Sequence, residues 1–328
     1  MRRCGYRLLM LAMSILCALP AWGACSTSST SDSFGSVPST RTDQAYQTRA
    51  SGGLRCTGAS LQFLDVSLVR ATITGTTHDF GLVNAAGDRI PYRIYADAAF
   101  NDQLVANAQY DFIGLYALNL GGLFGGPDNS VPLYARTQPT RMLSAGVYRD
   151  VINIRWDYSV CTRVSLLGVC VGGREQDVVM VAVELTITIT PDCLINAPDV
   201  RFGAAPLVSG FSEINQSLSL FCTRGSSFQV GLSQGSHPQS GERHMASSSG
   251  ELLRYRILKP DGTPWRDVGS GQARSHLDAD RNPGPGLGGA PGTGGDAQGF
   301  DYRAVIDADQ TTPSPGVYTD QVVVTVQF

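Results

Sequence analysis

The stretch from Pro315 to Phe328 reads P-G-V-Y-T-D-Q-V-V-V-T-V-Q-F. Val322, Val324, Val326 and Phe328 fall on one side of an extended chain, with Gln321, Thr325 and Gln327 on the other. A strand turns successive side chains to opposite faces, so this period of two predicts a half-buried β-strand. Pro315 and Gly316 mark the turn before it. The sequence stops with this strand. An apolar strand with a free edge is a liability, so an earlier strand or another chain is expected to cover it.

The same stretch occurs earlier. Ala145 to Tyr158 reads A-G-V-Y-R-D-V-I-N-I-R-W-D-Y. Gly146, Val147, Tyr148 and Asp150 match Gly316, Val317, Tyr318 and Asp320 at a constant spacing of 170 residues. Ile152, Ile154, Trp156 and Tyr158 fall where the three valines and Phe328 fall. This agreement predicts two copies of one domain. The first copy is followed by another alternating run, Asp177 to Thr190, with Val179, Val181, Val183, Leu185, Ile187 and Ile189 on one face. The second copy has no such run after it.

Residues 1–23 have the pattern of a secretory signal: Arg2, Arg3 and Arg7, then an apolar run from Leu8 to Leu19, then small residues Ala21 and Gly23. The apolar run is shorter than the ~18 residues that a membrane span needs. Its loss removes three arginines and no acids, taking the formal charge from -3 to -6. With Lys259 the one lysine, the chain lacks the electrostatic footprint of a nucleic-acid binder.

Six cysteines remain after the signal, an even number that argues for disulfides in an exported protein. Cys25 precedes Cys56 by 31 positions and Cys193 precedes Cys222 by 29; a Phe-Gly pair, Phe34-Gly35 or Phe202-Gly203, follows the first cysteine of each. The repeat therefore selects Cys25–Cys56 and Cys193–Cys222 as equivalent bridges and leaves Cys161–Cys170 as a third. No C-x-x-C pair and no histidine cluster supports a metal site.

Every periodic run has period two and turn signals are frequent, so the class is all-β, a sandwich in each copy. The first domain is expected at 24–191 and the second at 192–328, meeting at Pro191-Asp192. The glycine-rich run from Pro283 to Gly299 lacks the lysine and the strand-loop-helix setting of a phosphate loop. His78, His237, His244 and His276 have no nucleophile at a recognisable elbow, and the acids are dispersed, so no catalytic centre and no cofactor is expected.

The Cys…Phe-Gly…Cys opening and the closing G-V-Y-x-D followed by alternating valines and an aromatic resemble the spore coat protein U domain, the pilin module of archaic chaperone–usher pili. The resemblance is close over the second copy and looser over the first, whose middle is expanded. Two domains in one chain resemble the tip adhesin of such pili rather than a shaft subunit. The resemblance implies two immunoglobulin-like β-sandwiches in tandem, the second lacking its final strand. It implies a periplasmic chaperone, an outer-membrane usher and an adjacent pilin subunit as partners, each strand being lent by β-strand addition. Val322, Val324, Val326 and Phe328 would then line the receiving groove, while Asp177 to Thr190 would complete the first domain internally. Because Cys25 stands close to the expected cleavage site, no alternating donor segment precedes the fold. A subunit that accepts a strand and donates none is expected at the fibre tip, on the cell surface.

Comparison of the copies suggests where a tip would make contact. The first carries Phe80, Leu82 and Val83 in one loop. A second loop holds Leu118, Leu120, Leu123 and Phe124, and the bridged hairpin holds Val164, Leu166, Leu167 and Val169. The matching segments of the second copy are polar, glycine-rich or absent. Apolar clusters on loops usually mark interaction sites, so these residues are expected to touch a hydrophobic surface and to support attachment and biofilm formation; the opposing expectation is that they fill the domain's own core. A structural pilus or coat subunit and a carbohydrate-binding tip are the rival readings.

Overall fold

Alternation builds the first sheet. In Gly146–Cys161, Tyr148, Asp150, Ile152, Ile154, Trp156 and Tyr158 all point inward and are buried, with the alternate residues facing out. Arg174–Thr190 pairs with it antiparallel along its whole length, and Leu68–Thr76 pairs antiparallel on its other side. Thr30–Pro38 lies parallel to Arg174–Thr190 on the outer edge. A second layer of Gly81–Val83, Arg89–Tyr95, Pro132–Thr137 and Gln47–Ser51 closes over the inward side chains. The computed structural model describes residues 25–56, 61–63, 67–113, 123, 130–161, 164–166, 169–171, 173–290 and 297–328.

Trp156 is the centre of this core. Its indole N–H donates to the carbonyl of Gly52 at 2.8 Å, and Phe112 packs on its ring at 5.5 Å. Gly52 has no room for a side chain: a Cβ there would lie 2.7 Å from the Val131 carbonyl and 3.0 Å from the indole. A buried indole needs an acceptor for its N–H, and the close backbone approach at Gly52 supplies it.

The second core repeats the plan with fewer strands. One sheet runs Cys193–Asn196, Ile214–Cys222, Gln298–Ile306, Leu252–Leu258 and Arg243–Ala246. The other has Gln229–Leu232 between Arg274–Ser275 and Val324–Gln327. Trp265 donates to the Val230 carbonyl at 3.0 Å, and the Arg274 guanidinium lies 5.3 Å from its ring. The G-V-Y tyrosines make the same tie in both copies: Tyr148 to the Ser144 carbonyl at 2.7 Å, and Tyr318 to that of Ser314 at 2.8 Å. Cys25 bonds Cys56, Cys161 bonds Cys170, and Cys193 bonds Cys222. Among the described residues no helix is long and apolar enough to cross a membrane.

The domains are tied by polar contacts. Thr40 Oγ1 donates to Asp192 at 2.5 Å, and the hydroxyls of Ser39 and Thr223 share a hydrogen bond. Arg224 of the second domain pairs with Asp88 of the first, which also accepts the backbone N–H of Ser144 at 2.8 Å. Burial alone would raise the Asp88 carboxyl, but the Arg224 and Ser144 hydrogen bonds and the guanidinium charge outweigh it and hold it at about 2 against the usual 3.8. A depressed carboxylate stabilises the fold fully above its unfolded value and loses that contribution as pH falls through its folded value. The Arg224 side chain is 45% exposed, so water screens the pair. Arg224→Ala is therefore expected to cost about 1–2 kcal/mol at pH 5. Thermal unfolding from pH 5 down to pH 2 should show this difference closing between about pH 4 and pH 2.

Candidate functional site

In the first domain one strand position decides whether the sandwich is closed. Arg174–Thr190 occupies it, antiparallel to Gly146–Cys161 and parallel to Thr30–Pro38. Its inward residues Val181, Val183, Leu185, Ile187 and Ile189 are all buried. Near the middle, the parallel register shifts where Gly35 takes a left-handed φ of 88°. Only glycine adopts this without strain, which explains the Phe-Gly pair. Gly203 repeats it at 79°.

In the second domain the same position is open. Val324–Gln327 is the counterpart of the middle of Gly146–Cys161, and among the described residues it pairs only with Gln229–Leu232. Residues 198–206, the counterpart of Thr30–Pro38, lie outside any strand. Between them is a cavity of about 430 Å³, lined by Val200, Phe202, Leu232, Tyr255, Trp265, Tyr302, Tyr318, Asp320, Val322 and Val324. The register of the first domain identifies what belongs there. Val183 stands opposite Ile152 and Thr30, whose counterparts are Val322 and Pro198; Leu185 stands opposite Asp150 and Asp32, whose counterparts are Asp320 and Val200. All four counterparts line the cavity. The cavity thus lies where Val183 and Leu185 sit in the first domain. Burial differs accordingly. Ile152, Ile154 and Trp156 are fully buried, whereas Val322, Val324 and Val326 are half-buried against the second core and Phe328 is 48% exposed. Phe328 rests edge-on against Phe228 at 6.4 Å.

A buried carboxylate braces this position in each copy. Asp150 accepts from Tyr92 Oη at 2.8 Å and from the His78 backbone N–H at 2.9 Å. Asp320 accepts from Tyr255 Oη at 2.6 Å and from the Ser236 backbone N–H at 2.7 Å. Burial, then the neighbouring carboxylate, raises the Tyr92 phenol; burial, then the hydrogen bond to the carboxylate, raises that of Tyr255, so both remain donors. The aspartate of G-V-Y-x-D is therefore a structural acceptor at the groove wall, a role that repetition alone did not reveal.

The expected contact residues separate into four groups. Two are corrected: Leu82 is fully buried and Leu123 is 1% exposed, so neither can touch a surface. Residues 80–88 form a hairpin rather than an apolar-tipped loop. Gly81–Val83 pairs with Arg89–Tyr95, turning Leu82 inward opposite Ile90, and Asn84 Oδ1 caps the turn by accepting from Ala86 and Asp88. Phe80 is half-buried, edge-on to Tyr92 at 6.0 Å and packed on the first core. Leu118, Leu120, Phe124 and Leu167 lie outside the described residues. Val164–Leu166 is a strand pairing with Val169–Val171 and, in parallel, with Leu61–Phe63; Val169 is 64% exposed. Val178 and Met180, on the same ribbon, are exposed as well. Arg174–Thr190 is 17 residues long. At about 3.3 Å per residue, the bridged hairpin stands roughly 50 Å from Thr190, at the other end of this ribbon.

The Spore Coat Protein U domain matches residues 12–155 and again 179–325; the bridged hairpin falls between the two. Among solved structures, the chain is similar to the CsuC–CsuE chaperone–tip adhesion subunit pre-assembly complex from the archaic chaperone–usher Csu pili of Acinetobacter baumannii. The identity is 25%, with 93% of this chain and 100% of that chain covered and a TM-score of 0.67. The CupB6 tip adhesin from Pseudomonas aeruginosa is 13% identical over 93% of each chain, with a TM-score of 0.28. Comparison with curated proteins gave no match. With two copies of the domain spanning most of its length, the chain belongs to the Spore Coat Protein U domain family.

Proposed function

We propose that this chain is the tip adhesin subunit of a pilus assembled by the chaperone–usher pathway. A signal peptide over 1–23 directs it to the periplasm, and domains at 24–191 and 192–328 divide its work. The second domain receives a strand from a periplasmic chaperone. At the outer-membrane usher it then takes one from the adjacent pilin subunit. The first domain stands at the pilus tip on the cell surface and binds. The observation that carries this reading is the contrast between copies: one strand position filled by Arg174–Thr190 in the first and open around a cavity of about 430 Å³ in the second. Strand addition suits such a site, because main-chain hydrogen bonds supply affinity and alternate side chains fill the pockets. Likeness over the whole length of a chaperone-bound tip subunit supports the tip assignment.

Attachment is assigned to the bridged end of the first domain's long ribbon. Val169, Val178 and Met180 expose apolar surface on the bridged ribbon, and exposed apolar groups there suit a hydrophobic surface. Many weak tips on one cell would act together, which is how such contacts support a biofilm. The test has two arms, each read by counting pili and measuring attachment to a hydrophobic surface. Val322→Asp with Val324→Asp should leave the chain out of pili altogether. Leu166→Ser, Leu167→Ser and Val169→Ser together should leave pilus number unchanged and lower attachment several-fold. Incorporation of the first variant would sink strand acceptance. Undiminished attachment by the second would sink the hydrophobic contact and favour a structural subunit or a different binding surface.

A further inference from the structure

The outward face of the second layer of domain one belongs neither to the groove nor to the bridged hairpin. Two rows of side chains cross it. In the first row Tyr95 stands opposite Tyr134, and Tyr134 opposite Arg49. In the next, Arg93 stands opposite Arg136, and Arg136 opposite Gln47. Phe100 closes over the first row, edge-on to Tyr95 at 5.2 Å and to Tyr134 at 6.4 Å. The Arg136 guanidinium lies 5.8 Å from the Phe100 ring and that of Arg49 5.9 Å from the Tyr134 ring. None of these side chains is buried.

Two features of this face work against the fold. Like charges directly opposite each other in a sheet repel. Arg93 and Arg136 are such a pair, and neither has a carboxylate within ion-pair distance among the described residues. Phe100 is held in left-handed backbone at φ 59°, a conformation that a bulky residue rarely takes and that clusters at functional sites. The turn that imposes it is built by Asp97, whose carboxylate accepts from the N–H groups of Ala99, Asn101 and Asp102 at 3.2, 3.0 and 2.8 Å. The strain sets an aromatic ring onto a half-exposed aromatic row beside two arginines that have no acidic partner among the described residues. Arginine forks match carboxylates, and the aromatic row offers flat apolar faces next to them.

We propose that this face binds an acidic polysaccharide, a polymer of uronic acids. Its sugar rings would lie on Tyr95, Phe100 and Tyr134, and its carboxylates would be held by Arg93, Arg136 and Arg49. Neighbouring strands are roughly 5 Å apart and the rows about 7 Å apart, so successive charges along one polymer can meet successive arginines. The formal charge of the whole chain is -3, so the arginines form a local device and not the broad basic surface that phosphate-backbone binding needs.

The full-length chain would be titrated by calorimetry with polygalacturonate oligomers, with neutral cello-oligosaccharides of equal length and with a single-stranded oligonucleotide. Binding is expected for polygalacturonate alone. It should weaken with salt and fall at least tenfold in Arg93→Gln with Arg136→Gln, and also in Phe100→Gly. Both variants remove a cost to the fold, so they should melt at or above the parent temperature, separating lost binding from lost structure. If the arginine pair melts lower, the Phe100→Gly result decides. Absence of binding, equal binding by the variants, or equal affinity for the neutral glycan or the oligonucleotide would overturn the proposal.

Discussion

Appending a copy of Asp177–Thr190 to Phe328 through a short flexible linker is expected to raise the melting temperature of the second domain by roughly 10–20 °C. The first domain supplies the precedent. There this segment lies antiparallel to Gly146–Cys161, joined to it by a hairpin, and buries Val181, Val183, Leu185, Ile187 and Ile189. Val322, Asp320 and Tyr318 line the matching cavity in the second domain. Burying a large apolar side chain is worth about 1.5–3 kcal/mol. Ordering the added backbone takes back a large part of that sum, and new ladder hydrogen bonds add about 1 kcal/mol each at most. A net gain of about 5 kcal/mol corresponds to the stated rise for a domain of this size. Calorimetric unfolding of the full chain would show it as one transition moving while the other stays. The informative control exchanges neighbouring residues along the graft, so that composition is kept while Leu185, Ile187 and Ile189 turn outward and Glu184, Thr186 and Thr188 turn inward. An unmoved transition with the graft, or the same rise with the control, would mean that the open position is not a strand site.

Much of this was legible in the chain because it was written twice. The 170-residue repeat of G-V-Y-x-D identified the two sandwiches, and the alternation of Asp177 to Thr190 identified the strand that one has and the other lacks. Comparison of two copies amounts to a controlled experiment in which one element is removed. It failed where the copies differ for local reasons. Leu82 looked like a loop tip because Asn84 and Gly87 follow it, yet three residues are enough to pair with Arg89–Tyr95 and turn its side chain inward. Leu123 sits among glycines that suggested exposure, but the larger first core has room for it. The aromatic and arginine face was not legible at all. Arg49, Arg93, Tyr95, Phe100, Tyr134 and Arg136 come from three strands and a turn, and each one alone reads as an ordinary outward residue. Only the register brings Arg93 against Arg136, and only the backbone at Phe100 shows that its ring is folded over the row.

The second large effect should come from the paired aspartates, and it should differ between copies. Asp150→Ala is expected to destabilise the first domain by about 3–5 kcal/mol, because a buried donor set loses its acceptor. The carboxylate is 1% exposed and receives Tyr92 Oη together with the backbone N–H groups of His78 and Val151. No water can replace it, since Arg174–Thr190 covers the site with Leu185 directly opposite. Asp320→Ala removes the same kind of acceptor from Tyr255 and Ser236. Here the side chain is also buried, at 2% exposure, but the residue lines the open cavity, so truncation to alanine lets water from the cavity reach both donors. The cost in the chain as it stands should be smaller, about 1–2 kcal/mol. Once the groove is filled by the grafted strand, that water is excluded, and the cost of Asp320→Ala should rise to match that of Asp150→Ala. Chemical denaturation of the parent chain, Asp150→Ala, Asp320→Ala, the grafted chain and the grafted chain with Asp320→Ala reads the difference directly. Equal costs at both aspartates in the ungrafted chain would show that the second groove is already closed to water. Equal costs of Asp320→Ala with and without the graft would show that the added strand does not seat over the carboxylate.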